Sequence, residues 1–196
     1  MKGYNKLRRK ALEILNTQLS EELYYHGIHH TMNVLKICNN YIKRDKMNSY
    51  DAKLLRLGAL LHDIGFTVSN VDHEETGKNM ATDLMTNFGF SQKDISTVQG
   101  LILATKIPQS PKTELEKIIC DCDLDYLGRS DFYRISDHLY KELKYSNVVS
   151  SKLEWNKIQI KFMEKHKFHT KFAKKYRQPN KEKRIDELKK AIQGYG

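Results

Sequence analysis

Four short stretches of this chain carry residues able to ligate a metal or move a proton. His62 and Asp63 stand side by side near the end of LLRLGALLHDIGF (54–66). His26, His29 and His30 fall within YYHGIHHTMNVLKIC (24–38), Asp121, Asp123 and Asp125 alternate through DCDLDYLG (121–128), and DHEE (72–75) sets His73 beside two glutamates. Imidazoles and carboxylates together make a mixed nitrogen and oxygen donor set, harder than the thiolate sets that select structural zinc. Such a set suits Mn, Fe, Ni, Co or Mg better than Zn in a closed site. Four protein donors on an octahedral ion leave two positions for water or a substrate oxygen, as metal-assisted hydrolysis requires. The competing reading is purely structural: His62 and Asp63 paired with each other, or with a Lys or Arg, inside a core.

These residues need elements to hold them. Residues 52–61 are apolar nearly all round, with Leu54, Leu55, Leu57, Leu60 and Leu61 covering most of a helical circumference, which marks a helix buried on every side. An unpaired carboxylate at its end would cost several kcal/mol, so something positive must face Asp63. His26 and His30 are four apart and share a face if their helix begins early enough. Helix-start signals stand at Asn48 with Asp51, Asp72 with Glu75, Ser91 with Asp94, Thr113 with Glu116 and Ser151 with Glu154, each ahead of apolar residues three or four apart. Further helices are expected near 4–18, near 30–44, after Gly128 and near the C-terminus, with turns at NFGF (87–90), IPQSP (107–111) and QPN (178–180). Alternating strand-like runs are nearly absent, so the expectation is an all-α bundle of roughly eight or nine helices.

The length of 196 residues suits a single domain over 1–196. With 39% hydrophobic and 30% charged residues, three prolines and ten glycines, the composition is that of a soluble globular chain. No window approaches the ~18 uninterrupted apolar residues of a membrane span, and the opening MKGYNKLRRKALEIL lacks the apolar core of a signal peptide. A cytoplasmic protein with no membrane partner is therefore expected. Cys38, Cys120 and Cys122 have the spacing of neither a disulfide framework nor a zinc knuckle. The formal charge of +10 is concentrated in the tail, with about +9 on residues 131–196. Residues 146–196 are read as basic helices packing on the same domain. An anionic partner fits that charge, but Phe168, Phe172 and Tyr176 fall at helical spacing, which suits a packed face better than a row of base-stacking platforms. A small molecule is expected rather than nucleic acid.

The ordered set, a histidine, then HD about thirty residues later, then an aspartate about sixty residues further on, resembles the HD superfamily of metal-dependent phosphohydrolases. The phrases YHxxxHTxxVL, LGALLHDIGF, HEExG, ILATKIP and DCDLDYLGR are similar to those of a group of small bacterial HD-domain proteins. The likeness runs over about residues 20–145 and is weaker in FHTKFAKKYRQPNKEKRIDEL. It implies an HD-type helical domain that binds one divalent metal through His30, His62, Asp63 and Asp123. A second ion is conceivable, but Thr105 and Lys106 stand where a further histidine would be needed, which favours one. The resemblance makes Asp63 the residue that holds the attacking water. The Tyr25-His26 pair ahead of His30 is similar to the opening of the cyclic-nucleotide phosphodiesterases, which makes His26 the proton donor to the leaving oxygen. Gly27 replaces the asparagine usual in that motif, which weakens the case for a cyclic nucleotide. His73, Lys106 and Arg129 are candidates for substrate binding or support, Asp121 and Asp125 for caps or supporting groups. Phe66 stands where many relatives carry lysine. The implied activity is hydrolysis of a phosphorylated or nucleotide-like small molecule, as a phosphomonoesterase or a phosphodiesterase. The alternative is a metal-binding regulatory or ligand-binding module without turnover. Di-iron oxygenation needs six ligands, and the sequence offers four plus His73.

Overall fold

The computed structural model of the chain describes residues 3–194, which form ten α-helices and two short 3₁₀ turns, with no strand among the described residues. The helices are α1 (Tyr4–Gln18), α2 (Ile28–Arg44), α3 (Ser49–Leu61), α4 (His73–Asn87), α5 (Gln92–Ala104), α6 (Glu114–Asp123), α7 (Phe132–Tyr145), α8 (Lys152–Lys165), α9 (Lys171–Tyr176) and α10 (Gln178–Gln193). The 3₁₀ turns are Ile64–Thr67 and Asp125–Gly128. The all-α expectation is met. The count exceeds eight or nine because the basic tail is divided: Thr170 caps α9 by accepting from the Ala173 amide, and Pro179 opens α10.

The described residues form two compact units. One comprises the chain up to Glu21 with His26–Cys122, and the other Glu22–Tyr25 with the chain from Asp123 onward. In the first unit α3 packs against α1, α2 and α5. Leu54, Leu55, Leu57, Leu60 and Leu61 are each at most 2% exposed, as their all-round pattern predicts. Each such side chain contributes about 1.5–3 kcal/mol by leaving water, so the position of this helix is strongly fixed. Its last residues therefore sit on a rigid support.

Four of the five expected helix starts are built as read. Asn48 accepts from the Tyr50 and Asp51 amides, Ser91 and Asp94 form a reciprocal capping box, Thr113 and Glu116 bond each other's amides at 3.2 Å, and Ser151 accepts from the Glu154 amide. Asp72 departs from the expectation. Its backbone is left-handed (φ 49°), not the extended form a capping residue needs, and its carboxylate accepts from Lys106 Nζ at 2.9 Å instead of from the first-turn amides of α4.

The second unit has its own apolar cluster, in which Leu127, Phe132, Met163, Phe168 and Leu188 pack together and α8 lies against α10. Within it Arg177 Nε donates to Asp125 Oδ1 at 2.7 Å, and the buried Lys181 donates to the His166 carbonyl at 2.5 Å. Phe168 is buried, whereas Tyr176 is half exposed. All three cysteines are buried and free of disulfides. No described helix is long and apolar enough to cross a membrane.

Candidate metal centre

The central residues come from three elements distant in sequence. His30 lies in the first turn of α2. That helix begins at Ile28 with Gly27 as its N-cap, so His26 precedes it and does not share its face in the i, i+4 sense. The chain still brings the two rings to 6.1 Å between centroids. His62 caps the C-terminus of α3 with helical backbone angles, and its Nδ1 lies 3.0 Å from the Ala59 carbonyl. A proton on Nδ1 is thereby committed to that carbonyl, which turns the Nε2 lone pair toward His30 and Asp63. Asp63 leaves the helical path at φ −106°, ψ 9°. Its Oδ2 lies 3.2 Å from His62 Nε2 and 3.5 Å from His30 Nε2, and the two nitrogens are 3.3 Å apart. Asp123 is the last residue of α6, a helix whose body belongs to the first unit. One ligand atom each from His30, His62 and Asp123 lie within 4.8 Å of one another.

This arrangement fits a divalent cation. Donors about 2.0–2.2 Å from one ion stand roughly 3.0–3.5 Å from their neighbours, the spacing found among His30, His62 and Asp63. His62 is fully buried and His30 and Asp63 nearly so. Asp63 Oδ2 has no hydrogen-bond partner. A buried carboxylate oxygen facing two imidazole nitrogens, one of them already committed as an acceptor, is an uncompensated site unless a cation joins it. Burial works to raise the Asp63 carboxyl, but His62, then His30 and His26, outweigh it and hold the group well below the usual carboxylate range.

The other oxygen of Asp63 looks toward α4. His73 Nε2 is 3.8 Å from Asp63 Oδ1 and 3.3 Å from Glu74 Oε1. Burial lowers the His73 imidazole below its ordinary value, against the pull of Asp63 and Glu74. The close approach depends on Gly65: a Cβ there would lie 1.9 Å from the His73 carbonyl and 2.8 Å from the Gly77 amide nitrogen. Only a glycine lets the 3₁₀ turn after Asp63 lie directly on the first turns of α4.

Of the sequence candidates, His26, His30, His62, Asp63, His73 and Asp123 come together here. Lys106 is tied to Asp72 at the start of α4, with both side chains largely exposed. The Arg129 guanidinium is held by both oxygens of Asp131 at 2.8 and 2.5 Å and stands 3.7 Å from Asp125. His29 is exposed, and Asp121 is fully buried in α6. Two neighbours lie in stretches already singled out but were given no role there. Glu74 is buried beside His73, where an acid in a first turn reads simply as favourable to the helix dipole. Tyr126 is buried, and burial first, then the charge of Asp123, raises its hydroxyl. No local pattern signals either.

The helical architecture and this donor set define a class, and comparison with known proteins names it. The family model of the HD domain matches residues 27–125, and the chain belongs to that family. Among solved structures it is similar to a protein described as a predicted HD superfamily hydrolase from an uncultured Thermotogales bacterium. The TM-score is 0.61 at 22% identity, covering 96% of this chain and 92% of that one, a likeness of fold. No curated protein matches the chain. The His30, His62 and Asp123 group is a place where this HD-domain chain could hold a metal.

Proposed function

We propose that this chain is a cytoplasmic phosphohydrolase, working as one HD-type domain over 1–196, that acts on a phosphorylated or nucleotide-like small molecule. The reading is carried by the convergence of His30 Nε2, His62 Nε2 and Asp63 Oδ2 at 3.2–3.5 Å, with Oδ2 otherwise unsatisfied. Together with Asp123 these residues would hold one divalent ion, Mn, Fe, Ni, Co or Mg in preference to Zn. Such an ion supplies Lewis-acid polarisation of a phosphoryl oxygen and makes water nucleophilic near neutral pH.

The chain's own groups do the rest. Asp63, kept ionised by its imidazole neighbours, orients the attacking water by accepting its hydrogen bond. His26, half-buried and with its ring 6.1 Å from that of His30, donates a proton to the leaving oxygen. Lys106, engaged only by an exposed Asp72 in a solvent-screened pair, exchanges that partner for a phosphate oxygen. His73 and Glu74 steady Asp63 from its other side and would receive a second ion if one binds. Arg129 is a weaker candidate for substrate contact because Asp131 already occupies its fork.

Metal content by mass spectrometry and turnover of p-nitrophenyl phosphate, bis(p-nitrophenyl) phosphate and a nucleotide panel test the proposal. Wild-type protein is expected to retain about one ion and to release product, and His62→Ala and Asp63→Ala to lose both. A folded wild type that takes up no divalent ion and hydrolyses nothing would sink the reading. Tight nucleotide binding without product would instead favour a regulatory module.

A further inference from the structure

Phe66 follows His62-Asp63 by three residues and sits between two imidazoles. Its ring stacks on His26 with centroids 4.2 Å apart and planes 21° from parallel, and on His73 at 3.9 Å and 27°. The two imidazoles themselves are 6.2 Å apart. The support beneath the phenyl ring is rigid. Phe66 N donates to the Asp63 carbonyl at 3.1 Å, and the preceding Gly65 is pressed on the backbone of α4 with no room for a side chain. The ring is therefore fixed relative to Asp63, whereas His26 lies before the N-cap of α2, outside the regular hydrogen-bonded ladder that fixes His30.

We infer that Phe66 is a positioning residue, an aromatic brace that holds the imidazoles of His26 and His73 in register with the metal centre. Its flat ring, at stacking distance from both imidazoles, transmits the position of the HD turn to two groups on other elements. A proton donor gains most of its effect from geometry, and a misplacement on the order of 1 Å can cost about a hundredfold in rate. The inference rests on the hydrolase reading for its catalytic consequence but not for the stack itself.

The test uses Phe66→Leu, Phe66→Tyr, His26→Ala and the Phe66→Leu/His26→Ala double variant, with Mn²⁺ and whichever nitrophenyl ester the wild type turns over. Phe66→Leu is expected to keep its metal and to lower kcat about tenfold with KM changed by less than about twofold. Phe66→Tyr should keep kcat within about twofold of the wild type, and in the His26→Ala background Phe66→Leu should add only a smaller loss, the part that passes through His73. An unchanged kcat in Phe66→Leu, or an equal loss with His26 absent, overturns the inference. Histidine ring proton resonances of the metal-free protein give a readout that needs no turnover. His26 and His73 are expected upfield in the wild type and in Phe66→Tyr, and released in Phe66→Leu. Resonances unmoved by Phe66→Leu overturn the brace whatever the activity. A released shift in a protein without turnover supports the brace and removes the hydrolase reading instead.

Discussion

The His62 ring shows how one hydrogen bond prepares a ligand. Binding the Ala59 carbonyl through Nδ1 fixes both tautomer and orientation, so that Nε2 meets His30 and Asp63 without further rearrangement. Residue type alone marked out stretches rich in His and Asp, and it was the resemblance to the HD superfamily that named His30, His62, Asp63 and Asp123 among them. Glu74 stood in the quoted DHEE, but its burial beside His73 was not readable, because that burial comes from a neighbouring element. Phe66 was legible only as a missing lysine, and its contact with two imidazoles is a property of space. The half-buried His166 gives a prediction unconnected with the metal. Burial first, then Lys181 and His169, push His166 from 6.5 down to about 3, with Lys181 Nζ 3.4 Å from its Nδ1. The unfolded chain takes up this proton near pH 6.5, the folded chain not until about pH 3. The folded state is thus favoured in full above pH 6.5 and progressively less as pH falls through that window. The urea midpoint of the wild type should drop more steeply over this range than that of His166→Gln. Parallel profiles would show that His166 is not the group responsible.

At the scale of elements, the buried helix, its cap and the turn that follows act together. The leucines of α3 and the Asn48 cap are local signals, and both appear in the structure as read. The failure at Asp72 is instructive: the spacing with Glu75 was right, but a left-handed backbone turned the carboxylate toward Lys106, a choice made by the contact between two loops. Gly65 is the joint between the HD turn and α4. In Gly65→Ala the new Cβ would meet backbone atoms of His73 and Gly77, which cannot swing aside as a side chain would. The variant should lose about 1–3 kcal/mol in urea unfolding and separate His73 from Asp63. An Ala variant as stable as wild type would mean that the turn and helix are not locked in this way.

For the molecule as a whole, the donors tie α2, the end of α3 and the end of α6, segments separated by some thirty and then sixty residues of chain. Any ion bound there stabilises the folded state by mass action, by about 2.7 kcal/mol at a hundredfold excess over Kd. For a chain of this length that corresponds to a rise in Tm of about 5–10 °C. Calorimetry with Mn²⁺ and then EDTA should show the rise and its reversal in the wild type and neither in Asp123→Ala. A shift that persists in that variant would place the ion elsewhere. The sequence by itself determined the helical class, the fully buried α3, most caps and the chemical types of the donors, because periodicity and capping are encoded within a turn or two of chain. Only the tertiary structure decided that one oxygen of Asp63 faces two Nε2 atoms while the other faces His73, that Glu74 is buried beside it, and that Phe66 braces two imidazoles. Those contacts depend on how helices far apart in sequence settle against one another, and side-chain volume and backbone clearance, as at Gly65, set them to within an ångström.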